Sequence, residues 1–227
     1  MTTSIGRMRE GRPGRAGPTL THSQGGEVVL ASASPRRHEL LRSIGLEFRV
    51  VVADVDESIL PGESAVAYVD RVALSKAETV AERLGHPADA VVLAADTTVD
   101  LDGDVLAKPS DDDDARRMLR AMSGRSHDVH TAVVCWSRRG VRRIVVTTRV
   151  TFVDLTDAAI DRYLAMGEHL DKAGAYGMQG AAGMFVSEIV GSPSNVIGLP
   201  LAQTVGLLAE SGLTVEWGGG RTGRLRP

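Results

Sequence analysis

At 227 residues the chain has room for one large domain or two small lobes sharing a core. Its net charge of −3 gives no general attraction to nucleic acid or an anionic membrane, so an anionic ligand must be met by local basic clusters. A single cysteine, Cys135, excludes an internal disulfide and fits a reducing compartment, and no apolar run approaches the ~20 residues that span a bilayer. A cytoplasmic protein is expected, with no membrane or nucleic-acid partner.

Residues 1–26 are rich in Gly, Arg, Ser, Thr and Pro without apolar period, and read as a disordered extension. The folded domain is expected over 27–217, followed by a flexible tail over 218–227. Glu27 to Ala31 reads as a strand, and Ser34-Pro35 as the cap and first position of a helix that Gly45 stops. A strand from Phe48 to Ala53 follows. Ser64 to Leu84 has the spacing of a long helix, with Val66, Val69, Val72, Ala73, Val80 and Leu84 inward. Ala90 to Ala95 is apolar on both faces and reads as a central strand ending at Asp96.

Val99 to Leu106 reads as a hairpin around Asp102-Gly103. Ser110 opens a helix with a capping box to Asp113, closed by Gly124. Val129 to Trp136 and Ile144 to Val153 pair as strands across a basic turn, and Thr156 caps a helix ending near Gly167. After a Gly-rich stretch come a strand over Phe185 to Val190, a loop, and a helix from Pro200 to Glu210. The fold class is mixed α/β with long antiparallel strands.

Four constellations carry chemistry. Ser32-Ala33-Ser34-Pro35-Arg36-Arg37 delivers two hydroxyls and two guanidinium groups to a helix N-terminus, where free N–H groups and the dipole favour an anion. The plainer reading is a capped surface helix with solvated arginines. Asp96, with Thr97 beside it, places a carboxylate where open α/β sheets carry ligand groups, able to bind Mg²⁺ or take a proton from water. Lys76, Lys108 and the Asp171-Lys172 pair are either solvated or neutralise a polyphosphate. In Gly174 to Gly180 the glycines admit close backbone approach, and Gln179 offers a donor and an acceptor that suit a uracil or thymine edge. The acidic run Asp111 to Asp114 is assigned to the helix dipole, His127 and His130 to opposite strand faces, and Cys135 to packing.

Together these stretches, with Asp54 to Glu57, Ser123-Gly124 and Asn195 to Pro200, occur in the order of the Maf family of nucleoside triphosphate pyrophosphatases, which the chain resembles from about Val28 to Gly212. The resemblance implies a mixed, elongated β-sheet with flanking helices and two lobes around a central cleft, similar to the inosine triphosphatases, in a chain often assembled as a homodimer. It implies divalent-metal-dependent release of pyrophosphate, with Mg²⁺ as the metal and Mn²⁺ as the alternative. On this likeness Asp96 matches the proton acceptor. Ser32, Ser34, Arg36, Arg37, Lys76, Thr97, Lys108 and Gln179 match the substrate cleft, and Glu57 joins Asp96 on the metal side.

Thr97, Gln179 and Arg36 match the branch that acts on dTTP and UTP, and Thr97 and Gln179 depart from the 7-methyl-GTP branch. The N-terminal extension departs from the family, whose members usually begin just before the first strand. Attack at the α- or the β-phosphorus gives the same products. The competing readings are the 7-methyl-GTP activity, a nucleotide-binding regulator of cell division with little turnover, and a nucleotidyl transferase.

Overall fold

Seven strands form one mixed sheet in the order β2-β1-β3-β5-β6-β7, with β4 paired to β3. They are β1 (Glu27–Leu30), β2 (Arg49–Val50), β3 (Ala90–Leu101), β4 (Asp104–Leu106), β5 (Ser126–Ser137), β6 (Gly140–Phe152) and β7 (Val186–Val190). The helices are α1 (Pro35–Ser43), α2 (Ala65–Arg83), α3 (Asp112–Met122), α4 (Asp157–Leu164), α5 (Pro193–Ile197) and α6 (Leu201–Glu210). This computed structural model describes residues 26–213, so the expected extension over 1–26, save Gly26, and the tail over 218–227 lie outside the described residues.

The sheet is covered by three apolar cores. On one face Val29, Val92, Ala94 and Val134 pack under the Tyr68, Val69, Val72, Ala73, Ala77, Val80 stripe of α2. On the other, Leu30, Leu93, Ala95 and Val133 meet Leu40 and Leu41 of α1 and Leu207 and Leu208 of α6. The third core lies further along the same strands, where Val99, Leu101, Val129 and Phe152 meet α3, α4 and Phe185. These cores make the expected two lobes, joined by strands common to both.

The cleft follows from how β3 changes neighbours. Its parallel partner β1 runs alongside only as far as the Leu30–Leu93 pair, and β4 joins the same edge only from Val99. Between them β1 has turned away into α1, and that stretch of β3 has no strand on this side among the described residues. Its other edge stays paired to β5 from Val92 through Asp100. A break in strand pairing of this kind is where α/β sheets admit ligands.

Several expectations are corrected. The strand does not end at Asp96, because unbroken pairing with β5 carries β3 on to Leu101. Phe48 to Ala53 yields only the two-residue β2. Val66 is turned outward at 44% exposure, since the buried stripe of α2 starts with Ala65, Tyr68 and Val69. The cap of α3 is Asp111 and not Ser110, with Asp111 Oδ1 accepting the Asp114 N–H at 2.8 Å. The expected loop before the last helix contains α5, capped by Ser192 and ended by Gly198 at φ +123°. Ser34 occupies the cap position of α1 without a side-chain capping bond, and its own N–H goes to Ser32 Oγ at 3.2 Å.

Candidate active site

The open stretch of β3 floors a cavity of about 490 Å³, and Ser32, Ser34, Arg36, Arg37, Glu57, Lys76, Asp96, Thr97, Lys108 and Gln179 all line it. β3 brings Asp96 and Thr97 in as successive residues on opposite faces. Asp96 faces α2, where Lys76 Nζ donates to its Oδ1 at 2.8 Å. The same ammonium meets Glu57 Oε1 at 2.6 Å, and Lys108 stands 3.8 Å from Glu57 Oε2. Glu57 arrives on the irregular segment after β2, held by the Tyr68 hydroxyl, which donates to its carbonyl at 3.0 Å. Asp96 Oδ2 has no hydrogen-bond donor among the described residues.

On the other face Arg37 forms a hub. Its Nε donates to Gly198 O at 2.8 Å, Nη1 to Ser32 Oγ at 3.1 Å and Nη2 to Thr97 Oγ1 at 3.1 Å. Thr97 Oγ1 also lies 2.9 Å from Thr131 Oγ1, which donates to Asn195 O at 3.1 Å. Arg37 therefore fixes the first turn of α1 against β3 and α5, besides lending charge. Arg36 leaves α1 toward the Gly-rich segment, and Gln179 is exposed on the cleft wall.

Charges in the cleft act on one another from buried and half-exposed positions, Asp96 and Lys76 buried and Glu57 half-exposed. Burial pushes the Asp96 carboxyl above its ordinary range, against the opposing pull of Lys76 and Arg37. Burial acts on Glu57 in the same sense, but Lys76, Lys108 and Arg37 outweigh it and hold that carboxyl below its usual range. Tyr68 is pushed up to about 12 by burial and then by the charges of Asp96 and Glu57. Desolvation lowers the Arg37 guanidinium, with Asp96 opposing. Two carboxylates of one cleft are thus driven apart, one toward proton affinity and one toward permanent charge.

Residues 27–211 match the family described as Maf-like protein. The chain belongs to the Maf family. This Maf chain is 47% identical over 208 residues to the dTTP/UTP pyrophosphatase of Hahella chejuensis, covering 92% of this chain and 98% of that one. It is 53% identical over 190 residues to the dTTP/UTP pyrophosphatase of Chromobacterium violaceum, with coverages of 82% and 94%. Among solved structures it is similar to the Ham1 protein of Staphylococcus aureus, at 17% identity and a TM-score of 0.42, over 56% of this chain and 72% of that one.

One residue of the Maf cleft has no signal in the sequence, and another that has one acts from behind the wall. Tyr68 belongs to none of the matching stretches, yet it lines the cleft and anchors Glu57, while Asn195, which opens a matching stretch, lies fully buried behind the cleft with its Nδ2 donating to Val129 O at 2.9 Å. The burial of Lys76 had a visible signal. It occupies a position of the α2 stripe that otherwise holds Val72, Ala73, Ala77 and Val80, so periodicity alone marks a lysine on the inward face. No group of three metal-ligating side chains occurs among the described residues, and no described helix is long and apolar enough to cross a membrane.

Proposed function

We propose that this Maf protein hydrolyses dTTP and UTP, and modified pyrimidine nucleotides of the same kind, to the monophosphate and pyrophosphate. The observation that carries the reading is the state of Asp96, with Oδ1 held by Lys76 and Oδ2 without a donor among the described residues, on the open stretch of β3. A carboxylate so placed accepts a proton from water as the water oxygen attacks the α- or β-phosphorus and the α–β anhydride bond breaks, the displaced phosphate leaving as monophosphate or pyrophosphate. Lys108 and Arg37, with the N-terminus of α1 at Ser32 and Ser34, stabilise the phosphate charge. Arg36 and Gln179 at the Gly-rich wall, together with Thr97, select the base. The relatives named dTTP/UTP pyrophosphatases, aligned over nearly their whole length, support the same substrate pair.

The donor set suits a hard divalent cation. Glu57 and Asp96 present carboxylate oxygens 2.6 and 2.8 Å from one ammonium, and Mg²⁺ takes one or two carboxylates while leaving its other positions to water and phosphate. Glu57 and Asp96 are the residues that would hold it, or Mn²⁺ in its place, and bound there it supplies Lewis-acid neutralisation of phosphate charge.

Pyrophosphate release with Mg²⁺ from dTTP, UTP, CTP, 5-methyl-UTP, 7-methyl-GTP and the purine triphosphates tests the reading. Preferred turnover of dTTP and UTP is expected, with a loss of about 10²-fold or more in Asp96→Asn. Near wild-type turnover in that variant would remove Asp96 from the mechanism. A preference for 7-methyl-GTP would overturn the base assignment, and tight binding without turnover would leave a nucleotide-binding regulator. Gln179→Ala is expected to lose pyrimidine preference more than maximal rate.

A further inference from the structure

Arg36 reaches across the cleft instead of standing free for phosphate. Its Nη1 donates to Asp171 Oδ2 at 3.0 Å and its Nη2 to Asp171 O at 3.4 Å, linking residues 135 positions apart. The second Asp171 oxygen accepts Lys172 Nζ at 2.6 Å, and Lys172 also donates to Glu168 O. The stem of Lys172 lies under Gly177, where a Cβ would come within 2.6 Å of Cε. Glu168 Oε2 then accepts the Ala181 N–H at 3.1 Å and closes against Gly180. Asp171 is therefore the joint between α1 and the segment that carries Gln179.

A carboxylate on the wall of a cleft that takes a triphosphate works against binding, and an exposed ion pair adds little stability. Asp171 has a side-chain exposure of 62%, so neither packing nor burial accounts for it. We infer that Asp171 is a positioning residue for base selection, holding the Arg36 guanidinium at the Gln179 end of the cleft. The remaining N–H donors of Arg36 then face the same nucleobase as the Gln179 amide. Arginine only donates, so this arrangement favours a base edge of carbonyl acceptors, as in uracil and thymine, over cytosine, whose amino group is itself a donor. The inference rests on the pyrimidine reading of this cleft and adds the residue that orients its arginine.

The test measures kcat and KM for UTP and CTP in wild type, Asp171→Asn, Asp171→Glu, Arg36→Met and the Asp171→Asn/Arg36→Met pair. In Asp171→Asn the UTP-to-CTP ratio of kcat/KM is expected to fall about tenfold, by more than the kcat for UTP falls. Asp171→Glu is expected to recover part of that ratio, and the double variant to discriminate no worse than Arg36→Met alone. An unchanged ratio in Asp171→Asn, or losses that simply multiply in the double variant, would overturn the inference. Wild-type protein that turns over neither dTTP nor UTP would overturn the function reading and this one together. An active, selective wild type beside an equally selective Asp171→Asn would sink Asp171 alone.

Discussion

Lys76 decides how Asp96 behaves. Burial favours the neutral carboxyl, and the ammonium 2.8 Å away is the first charge opposing it. Turnover that needs the ionised carboxylate rises with pH through the Asp96 pKa, so removing Lys76 moves that rise upward. Lys76→Met is therefore expected to shift the acid limb of the kcat/KM profile to higher pH. An acid limb that stays in place would show that another group sets it. The same direction carries a stability consequence. A carboxyl whose folded pKa is raised binds its proton more tightly in the folded state, so stability is lost as pH rises through that range. Asp96→Asn, uncharged at every pH, is expected to melt no lower than wild type at neutral pH while losing activity, as Glu57 still pairs with Lys76. Most of these residues were legible in the sequence, because a hydroxyl–arginine run at a helix start and a carboxylate after an apolar strand are local patterns. What Arg37 and Asp171 do was not, since their partners Gly198 and Arg36 lie 161 and 135 positions away.

At the scale of elements, β5 and the Gly-rich segment lean on each other through His127 and Tyr176. The His127 Nε2 lies 2.9 Å from the Tyr176 hydroxyl, and both rings meet Phe152 edge-on. Burial lowers His127 to about 4, so between pH 6.5 and 4 the unfolded chain binds the proton that the folded chain refuses. Stability is full above the unfolded pKa and falls as pH drops through this window, by roughly 3 kcal/mol for this one group. His127→Leu is expected to flatten that part of the urea-midpoint profile relative to wild type, and an equal slope in both would refute the assignment. The segment is pinned again at Gly174, whose N–H bonds Ala107 O at 3.2 Å with φ at +67° and Val99 Cγ2 2.8 Å from any added Cβ. Gly174→Ala is expected to cost about 1–3 kcal/mol in denaturant unfolding, through strained backbone and crowding against β3. Helices were easier to read than strand lengths. Caps and 3.6-residue periods are written locally, whereas Asp96, Thr97 and Thr98 look like a strand end until β5 is known to lie alongside them.

Over the whole molecule, two lobes hang from one sheet. The sequence order of helical and strand-like stretches indicated a mixed α/β protein, and the family likeness indicated the cleft. The place of the cleft depends on where β1 and β4 take turns at one edge of β3, a pairing fact that no local pattern contains. Net charge gives no hint of it either. The chain carries −3 overall, yet Arg36, Arg37, Lys76, Lys108 and Lys172 outnumber Glu57, Asp96 and Asp171 around the one cleft. Anion affinity here is a matter of placement and not of total charge.

The unbroken run of β3 and β5 beneath both lobes has a mechanical meaning. Proteins that clamp their ligands usually swing on a few residues of loop. Here a hinge would have to bend two paired strands of 12 residues each at their middle, breaking the ladder from Val92 to Asp100. The cleft is thus a fixed jaw, which admits its ligand by moving side chains and irregular segments rather than lobes. In hydrogen–deuterium exchange, the ladder amides of β3 and β5 should open only with global unfolding, with or without nucleotide, while the residues after β2 and around Gly177 gain protection when the cleft fills.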